Sequence, residues 1–468
     1  MVVGIFLEGR GEKLRIRQIP KRSSFANLST STLLVFIVTA GLLVKAFAAL
    51  YLGDAVTVLP GTADQVSYQA LAVRVLDGHG FTFDKAWWPA TKAGEPTAHW
   101  SYLYVFFLAG IYKVFGIHPL TARLIQTILV GVLQVLLTYG ISARLFGKGA
   151  GLVGAALNVL YLYFTYYSAT LMTEPFYITA ILGTLYAAIL IGDQKFEGHL
   201  DPKTIRRKNL YYALSLGLTV GAAVLLRQLF LLFLPFLYLW IWWAVREKRT
   251  ISSWRVILIS SAVIIATILP FTVYNYARFQ RFVLLNTNAG FAFYWGNHPI
   301  HGNRFITARE MEDYQALIPS EYSMLDEAAL DLALLSQGLQ FVIDDPVRYL
   351  QLSISRIPVY FNFWPSGESG MISNVTRVAS FGLYLPFFIV GIVLYFRNQT
   401  INGFRKLLRS PGALLLLFAL VYTVIHVLTW TLVRYRLPVD AVLIPFAALA
   451  AKRLLLSRIP DEELVTIQ

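Results

Sequence analysis

The stretch Thr62-Ala-Asp-Gln-Val-Ser-Tyr68 is the first polar segment after an apolar run of membrane-spanning length. Thr62 followed three residues later by Gln65 is typical of a capping box, which predicts a helix with Asp64 in its first turn. The helix dipole favours an ionised carboxylate there, so Asp64 is a candidate base, although acids also occupy first turns for structural reasons. The apolar residues of this helix predict a face packed on a membrane surface or a protein neighbour: Val66, Ala70, Val73 and Leu76.

The composition around this stretch is that of a membrane protein. Hydrophobic residues make up 57% and charged residues 14% of the 468 residues, and many apolar runs approach the length needed to cross a bilayer. The net charge of +14 does not indicate a nucleic-acid partner, because Lys and Arg cluster between the apolar segments as the positive-inside rule predicts. The absence of cysteine excludes disulfides, thiolate nucleophiles and Cys-based metal sites.

The alternation of apolar and basic segments predicts an all-α polytopic membrane protein with about ten transmembrane helices and both termini in the cytoplasm. Residues 1–31 form a basic cytoplasmic tail, and 32–468 form a single membrane domain. The length of the apolar run 101–115 does not decide whether it crosses the membrane. The basic ends of the later segments fall on the cytoplasmic side only if this run does not cross. The predicted crossings are 32–52, 121–145, 150–168, 176–192, 209–226, 229–245, 254–276, 376–396, 411–430 and 438–456.

Two external regions follow from this topology. The first, 53–120, contains Asp64 and extracytoplasmic juxtamembrane helices, and the second, 279–373, is an acceptor or lid region. The segment 150–168 runs outward, so Glu174, which follows it, is expected on the same side of the membrane as Asp64. We therefore expect an extracytoplasmic site in a plasma or inner membrane.

Arginines at the outer ends of spans are informative, because the charge bias otherwise keeps basic residues inside. These are Arg227, Arg278, Arg434 and Arg436. Several guanidinium groups near the bilayer surface can bind a phosphate through charge-assisted hydrogen bonds. Each could instead extend to lipid headgroups as an interfacial anchor.

The polar residues outside the membrane admit several roles. Asp64 and Glu174 could be catalytic, bind a metal, or be ordinary loop acids, and Glu174-Pro175 also fits a helix start. His99 and His298 could join Glu95 around a divalent cation, but no ligand spacing is diagnostic. Aromatic residues there could stack on a sugar or anchor in the interface. The candidate substrate-binding residues are Tyr68, His99, Trp100, Asn297 and His298.

The order of several short motifs resembles that of the GT-C superfamily of integral-membrane glycosyltransferases, in particular the protein O-mannosyltransferase and lipid A aminoarabinose transferase group. The resemblance covers most of 32–190 and the last spans, and in 280–375 it is limited to Gly296-Asn-His-Pro299. The motifs are Asp64-x-x-x-Tyr68-x-x-x-Ala72 with Gly78 and Gly80, Phe107-Leu-Ala-Gly-Ile-Tyr-Lys-Val-Phe-Gly116, Ala122-Arg-Leu124, Arg144-Leu-Phe-Gly147, Leu171-Met-Thr-Glu-Pro175 and Arg434-Tyr-Arg-Leu-Pro438.

This resemblance implies a donor sugar carried on a polyprenyl phosphate and transferred, with inversion, to an acceptor glycan, lipid or protein on the outer face. It implies that Asp64 is the base or orients the acceptor, that Glu174 is the acid of the second external loop, and that basic residues at span ends bind the phosphate. Two departures stand out. Gln65 occupies a position where the family often has a second acid, and Glu95-Pro-Thr-Ala-His99-Trp100 replaces a basic residue before two prolines.

Two other classes of protein remain open from the sequence. A surface-polysaccharide polymerase or ligase would consume a glycan linked to a lipid pyrophosphate. A polytopic lipid or sugar transporter would be expected to show repeated halves and polar, broken spans near the middle of the bilayer. In this chain the charges are concentrated in the external loops instead.

Overall fold

The computed structural model describes residues 29–193, 201–246, 252–306, 311–367, 369–399 and 403–455, so nearly all of the predicted tail 1–31 lies outside the described residues. Within these ranges the chain is helical, and the extended pairings are two isolated β-bridges. The predicted all-α class is confirmed. The helices are α1 Thr30–Leu52, α2 Asp64–Leu76, α3 Tyr102–Phe115, α4 Pro119–Phe146, α5 Lys148–Leu160, α6 Leu162–Ala169, α7 Glu174–Gly192, α8 Pro202–Leu226, α9 Leu234–Val245, α10 Ser253–Phe279, α11 Ala289–Asn297, α12 Met311–Ala316, α13 Glu327–Asp344, α14 Pro346–Tyr360, α15 Met371–Arg377, α16 Leu383–Gln399, α17 Phe404–Leu408, α18 Pro411–Leu428 and α19 Leu437–Leu455.

Seven helices in the described part of the chain are long and apolar enough to cross a membrane, against about ten predicted. They are α1, α4, α7, α8, α10, α18 and the continuous segment Met371–Arg397. An eighth span results if α5 and α6, which meet at a bend of 55°, cross together.

The two remaining predicted crossings differ for identifiable reasons. The run 229–245 is divided, because a 3-10 turn precedes α9 and leaves that helix only 12 residues. Helix α19 carries three charged residues, Asp440, Lys452 and Arg453, within its 19 residues, and they interrupt its apolar length. Helix α3, with 14 residues, is shorter than a span.

Helix α4 lies at the centre of the bundle and packs against α1, α5, α7 and α19. Helix α8 packs between α7 and α10, and α16 packs against α19. The α16–α19 contact requires a glycine, because a Cβ atom at Gly391 would lie 1.9 Å from the carbonyl oxygen of Phe446. Such close backbone approach is typical of helix packing in membranes.

The start of α2 differs in detail from its prediction. Asp64 occupies the first turn, as expected, but the Thr62 hydroxyl donates to the carbonyl of Leu59 at 3.1 Å and does not cap the helix. Gln65 donates from Nε2 to the Thr62 hydroxyl at 3.1 Å. The predicted capping box is therefore wrong, because a local turn at 59–62 takes the threonine that the helix would need.

The buried face of α2 also differs from the predicted one. The four residues of the predicted apolar face are only half-buried. The fully buried face contains Gln65, Ser67, Tyr68, Leu71 and Ala72. The core-facing side of this helix is thus partly polar and points towards the site described below.

A buried carboxylate is one of the groups that attach the second external region to the first. Glu327, at the start of α13, accepts hydrogen bonds from the Thr91 hydroxyl at 2.5 Å, the Ala98 amide at 2.8 Å and the Thr287 hydroxyl. Helices α11 and α13 pack on one another above this contact. The two external regions therefore form one layer.

Candidate active site

Four of the residues predicted from the sequence converge at one place, and we call them the acid–arginine cluster: Asp64, Glu174, Arg227 and Arg434. Arg434 Nη2 lies 2.8 Å from Asp64 Oδ2, and Arg434 Nε lies 3.7 Å from Glu174 Oε1. Arg227 Nη2 lies 2.6 Å from the same Glu174 oxygen. The two candidate acids thus share a guanidinium group.

The ends of helices position all four side chains. Asp64 and Glu174 occupy the first turns of α2 and α7, where the helix dipoles stabilise negative charge. Arg227 directly follows the last residue of α8. Arg434 lies in the 3-10 turn Val433–Arg436 that precedes α19.

The two carboxylates differ in accessibility. The Asp64 side chain is 21% exposed, whereas the Glu174 side chain is 2% exposed and contacts both arginines. Asp64 is therefore the carboxylate that an incoming molecule can reach. Glu174 is placed to hold the two guanidinium groups.

Aromatic rings enclose the arginines. Tyr435 lies between them, with its ring centre 5.4 Å from the Arg227 guanidinium and 5.5 Å from that of Arg434, and Tyr177 lies 5.6 Å from Arg227. Burial opposes the charge on both arginines, but Glu174, Tyr422 and Tyr435 together outweigh it and raise the pKa of Arg227. For Arg434 the same opposition from burial is outweighed by Asp64 and Glu174, which raise its pKa. Both cations are thus firmly charged.

Tyr68, a predicted substrate-binding residue, faces the cluster from α2. Its ring packs edge-on against Trp100, with ring centres 5.4 Å apart, and against Tyr104, at 4.9 Å. Burial, reinforced by the charge of Asp64, raises the pKa of Tyr68, so its phenol stays protonated. Tyr68 is therefore a hydrogen-bond donor beside the cluster.

His99 lies next to this aromatic group. Its Nδ1 is 3.2 Å from the carbonyl oxygen of Thr287, and its ring contacts those of Trp88, Trp100 and Phe291. Because a carbonyl can only accept, Nδ1 carries the proton. Burial lowers the pKa of His99, so the ring is neutral and Nε2 is an acceptor.

Two of the predicted phosphate-binding arginines lie elsewhere. Arg278 donates to the carbonyls of Phe81 and Thr97, at 3.2 and 2.8 Å, and to the hydroxyl of Tyr102. It thereby fixes the first external region to the end of α10.

Arg436 is the clearest correction, because its side chain is fully buried. Its Nε lies 3.1 Å from Asp440, one helical turn later, and its Nη1 donates to the carbonyl of Tyr360 at 2.7 Å. The guanidinium also covers the ring of Phe381. Its charge is thus already balanced, and the residue supports the fold where a phosphate contact was predicted.

The predicted contacts Asn297 and His298 belong to the second external region. Asn297 is buried and accepts a hydrogen bond from Arg356 Nη2 at 2.9 Å. The His298 ring packs against Tyr294 and Phe341. These contacts all lie within the second external region.

Comparison with known proteins identifies the fold. No protein-family model and no curated protein sequence matches the chain. An apo oligosaccharyltransferase from Archaeoglobus fulgidus matches with 18% identity and a TM-score of 0.58, over 93% of this chain and 52% of that one. ArnT from Cupriavidus metallidurans, in the apo state, matches with 15% identity and a TM-score of 0.51, over 91% of this chain and 61% of that one. This chain has the GT-C fold.

A third structure supports the same conclusion. The Archaeoglobus fulgidus oligosaccharyltransferase AglB, in complex with an inhibitory peptide and a dolichol-phosphate, matches with 18% identity and a TM-score of 0.53 over 91% of this chain and 51% of that one. The chain spans about half the length of these oligosaccharyltransferases. The resemblance to GT-C proteins is confirmed for the fold, and ArnT, the lipid A aminoarabinose transferase, represents one of the two expected branches.

No group of metal ligands surrounds the acid–arginine cluster among the described residues. Among the described residues there is no group of three or more His, Asp and Glu side chains that could hold a metal ion, and neither Glu95 nor His99 belongs to such a group. Asp64 and Glu174 are already bound by guanidinium groups.

Sequence reasoning missed three residues in or next to the acid–arginine cluster. Thr173, just before Glu174, lies 3.4 Å from Arg227 Nε, and Tyr435 separates the two arginines. Both stood within motifs already singled out, Leu171-Met-Thr-Glu-Pro175 and Arg434-Tyr-Arg-Leu-Pro438. Arg123 stood in a third such motif, and its contacts are described below.

Proposed function

We propose that this GT-C protein is a membrane glycosyltransferase that moves a sugar from a polyprenyl-phosphate donor to an acceptor hydroxyl on the extracytoplasmic face. The observation that carries the proposal is the exposed carboxylate of Asp64 held 2.8 Å from a guanidinium of the acid–arginine cluster. A base and a phosphate-binding group thus stand side by side. The acceptor is a glycan, a lipid or a protein.

The reaction requires a base beside the acceptor hydroxyl and positive charge beside the leaving phosphate. The acceptor oxygen attacks the anomeric carbon and passes its proton to Asp64, while the bond from that carbon to the phosphate oxygen breaks. The phosphate leaves with the electron pair, and the sugar is inverted. Arg227 and Arg434 stabilise the charge that develops on the phosphate.

Within this mechanism the two acids have different roles. Glu174 is nearly fully buried and bound to both arginines, which suits a residue that positions the phosphate ligands. Arg227 makes its described contacts through Nε and Nη2, so Nη1 is available for a phosphate oxygen. Asp64 is the catalytic base.

An apolar groove beside the cluster suits the prenyl chain. The groove has a volume of about 460 Å³ and lies between α3, α4, α7 and α8. Its wall includes Phe176, two residues after Glu174, and Leu226, the residue before Arg227. Leu133 and Leu218 in the wall are 45% and 57% exposed on the bundle surface, so a lipid chain can enter sideways from the bilayer.

The structural neighbours are consistent with this class of donor. The matched AglB structure contains a dolichol-phosphate, which is a lipid phosphate of this kind. We infer that the present chain takes a lipid monophosphate sugar in the same part of the fold. A polymerase or ligase would use a lipid pyrophosphate glycan instead, and a transporter would leave the sugar bond intact.

The test is a transfer assay in membranes with labelled polyprenyl-phosphate sugars, comparing Asp64→Asn with wild type. We expect loss of the proton acceptor to lower transfer by about 10²–10⁴-fold. Asp84→Asn, an exposed acid in the same external region, is the matched control and should transfer normally. Undiminished turnover by Asp64→Asn would refute the assignment.

The same assay separates the alternatives and the sidedness. Consumption of a pyrophosphate-linked glycan only would favour the polymerase or ligase. Movement of the labelled sugar across the membrane without formation of a transfer product would favour the transporter. In sealed vesicles of opposite orientation, product should form only where residues 53–100 face the acceptor.

A further inference from the structure

Helix α4 holds the backbone on both sides of the acid–arginine cluster through three buried polar side chains. Arg123 donates to the carbonyls of Gly53 and, at 2.8 Å, Ala55, in the segment that leads to Asp64. Gln126 and Gln134 act on the segment around Glu174. Gln126 Nε2 donates to the carbonyls of Ser168 and Thr170 at 2.8 and 2.7 Å, and Gln134 Nε2 donates to that of Pro175 at 2.8 Å.

Gln65 links these two segments directly, and it is fully buried beside Asp64. Its Oε1 lies 3.4 Å from the amide of Leu171, three residues before Glu174, and 3.4 Å from Arg123 Nη2. Its Nε2 donates to the carbonyl of Thr57 and, at 3.1 Å, to the hydroxyl of Thr62. One amide thus joins the Asp64 segment, the Glu174 segment and α4.

The donor atom Nε2 and the acceptor atom Oε1 of Gln65 have different roles. The Nε2 contacts stay within the Asp64 segment, so they support a local turn. The Oε1 contacts reach across to Leu171 and Arg123 and therefore determine how the Asp64 segment sits against the Glu174 segment. Fixing the separation matters because Arg434 must contact both acids at once.

We propose that Gln65 is a positioning residue that sets the distance between Asp64 and Glu174 through its acceptor atom Oε1, with Arg123 and α4 as the rigid support. This inference rests on the proposed function. Misplacement of reacting groups by about 1 Å can cost a hundredfold in rate. Loss of Oε1 should therefore lower turnover without removing any group that touches the substrate.

The test compares two variants of similar size. Gln65→Met removes both halves of the amide, whereas Gln65→Glu retains the acceptor oxygens towards Leu171 and Arg123 and loses the donor towards Thr57. For Gln65→Met we expect kcat per folded molecule to fall 10- to 100-fold with the donor KM unchanged. Gln65→Glu should recover most of kcat. Gln351→Glu, on the exposed side of α14, is the control for adding a carboxylate.

A purely structural role would give a different result. It would lower thermal stability in both variants, and kcat per folded molecule would not distinguish them. Unchanged kcat in Gln65→Met, or equal losses in both variants, would overturn the proposal.

A second measurement does not depend on activity. The chain has no cysteine, so the double variant Asp64→Cys, Glu174→Cys can be cross-linked by a short bifunctional thiol reagent without background. We expect rapid cross-linking with Gln65 present and a severalfold slower rate in the Gln65→Met background. Equal rates would contradict the positioning role. If the wild type transfers no sugar but cross-linking responds to Gln65, the proposed function fails while the positioning role stands.

Discussion

Arg434 Nη2 lies 2.8 Å from Asp64 Oδ2, which joins the turn before the last helix to the start of the first external helix. The same guanidinium lies 3.7 Å from Glu174. A planar group with several donors can face two carboxylates at once, which a lysine cannot do in the same way. Arg434 is therefore the residue on which the arrangement of the site depends most directly.

Replacing this arginine tests that dependence. We expect Arg434→Lys to lower transfer by about 10²–10³-fold, because it keeps the charge but loses the fork of donors needed at the developing phosphate charge. The measurement is transfer from a polyprenyl-phosphate sugar. Arg281→Lys, whose exposed side chain pairs with Asp326, is the control and should be neutral. Activity of Arg434→Lys within a factor of two of wild type would contradict the role.

Filling the apolar groove should affect donors according to the length of their lipid. Ala180 lines the groove from α7, and Ala180→Phe would occupy space that we assign to the prenyl chain. Losing burial of a group about the size of a Leu side chain, most of one isoprene unit, costs about 1.5–3 kcal/mol, so KM for long-chain donors should rise about tenfold or more. Donors with two isoprene units should be unaffected.

The control for the groove is Leu269→Phe, on the exposed side of α10. It adds a bulky side chain outside the groove and should change KM neither for long-chain nor for short-chain donors. Equal effects of Ala180→Phe on short and long donors would place the prenyl chain elsewhere.

The acid–arginine cluster also predicts the response to chelators. Since guanidinium groups already balance Asp64 and Glu174, transfer should persist after treatment with EDTA. The measurement is initial rate in chelator-treated membranes, with and without added Mg²⁺ or Mn²⁺. Loss of activity that a divalent cation restores would show that a metal takes part in the reaction.

The second external region contains a carboxyl group that should respond near neutral pH. Burial raises the pKa of Asp331 to about 7, against hydrogen bonds from the amides of Phe291 and Gly290, and nearby Glu327 raises it further. Because the pKa is higher in the folded than in the unfolded chain, the folded state binds the proton more tightly, and stability falls as pH rises. Because of Asp331, the free energy of unfolding should fall by about 1.4 kcal/mol as the pH rises from 6 to 8.

The contribution of Asp331 to this pH dependence can be isolated by comparing variants with the wild type. Thermal unfolding in detergent, followed by tryptophan fluorescence, should show a smaller decline between pH 6 and 8 in Asp331→Asn than in wild type. Asp344→Asn, an exposed acid on the same helix, should keep the wild-type slope. Parallel profiles for wild type and Asp331→Asn would mean that Asp331 does not titrate in this range.

The sequence was sufficient to bring together Asp64, Glu174, Arg227 and Arg434 because each lies at a helix end, and the charge rule assigns those ends to one side of the membrane. It could not choose among the four arginines, since all four have the same local setting. Arg436 differs through Asp440, four residues later in the first turn of α19, and that spacing is a signal that sequence reasoning could have used.

Other features depended on contacts between distant segments. The attachment of Glu327 to Thr91 and Ala98 joins residues more than 200 positions apart, and no local pattern indicates it. The capping box failed because the Leu59 carbonyl competes for Thr62. The division of the run 229–245 reflects a 3-10 turn that hydropathy alone does not reveal.

The contact of Arg434 with the first external segment also bears on the biogenesis of the protein. Arg434 Nη1 donates to the carbonyl of Gly61, 373 residues earlier in the chain. At about 5–20 residues per second, a ribosome needs roughly 20–75 seconds to pass from one to the other. Once synthesis has passed residue 227, the nascent protein has both acids and Arg227 but still lacks the shared cation. The acid–arginine cluster is therefore completed only when synthesis reaches the turn that precedes α19.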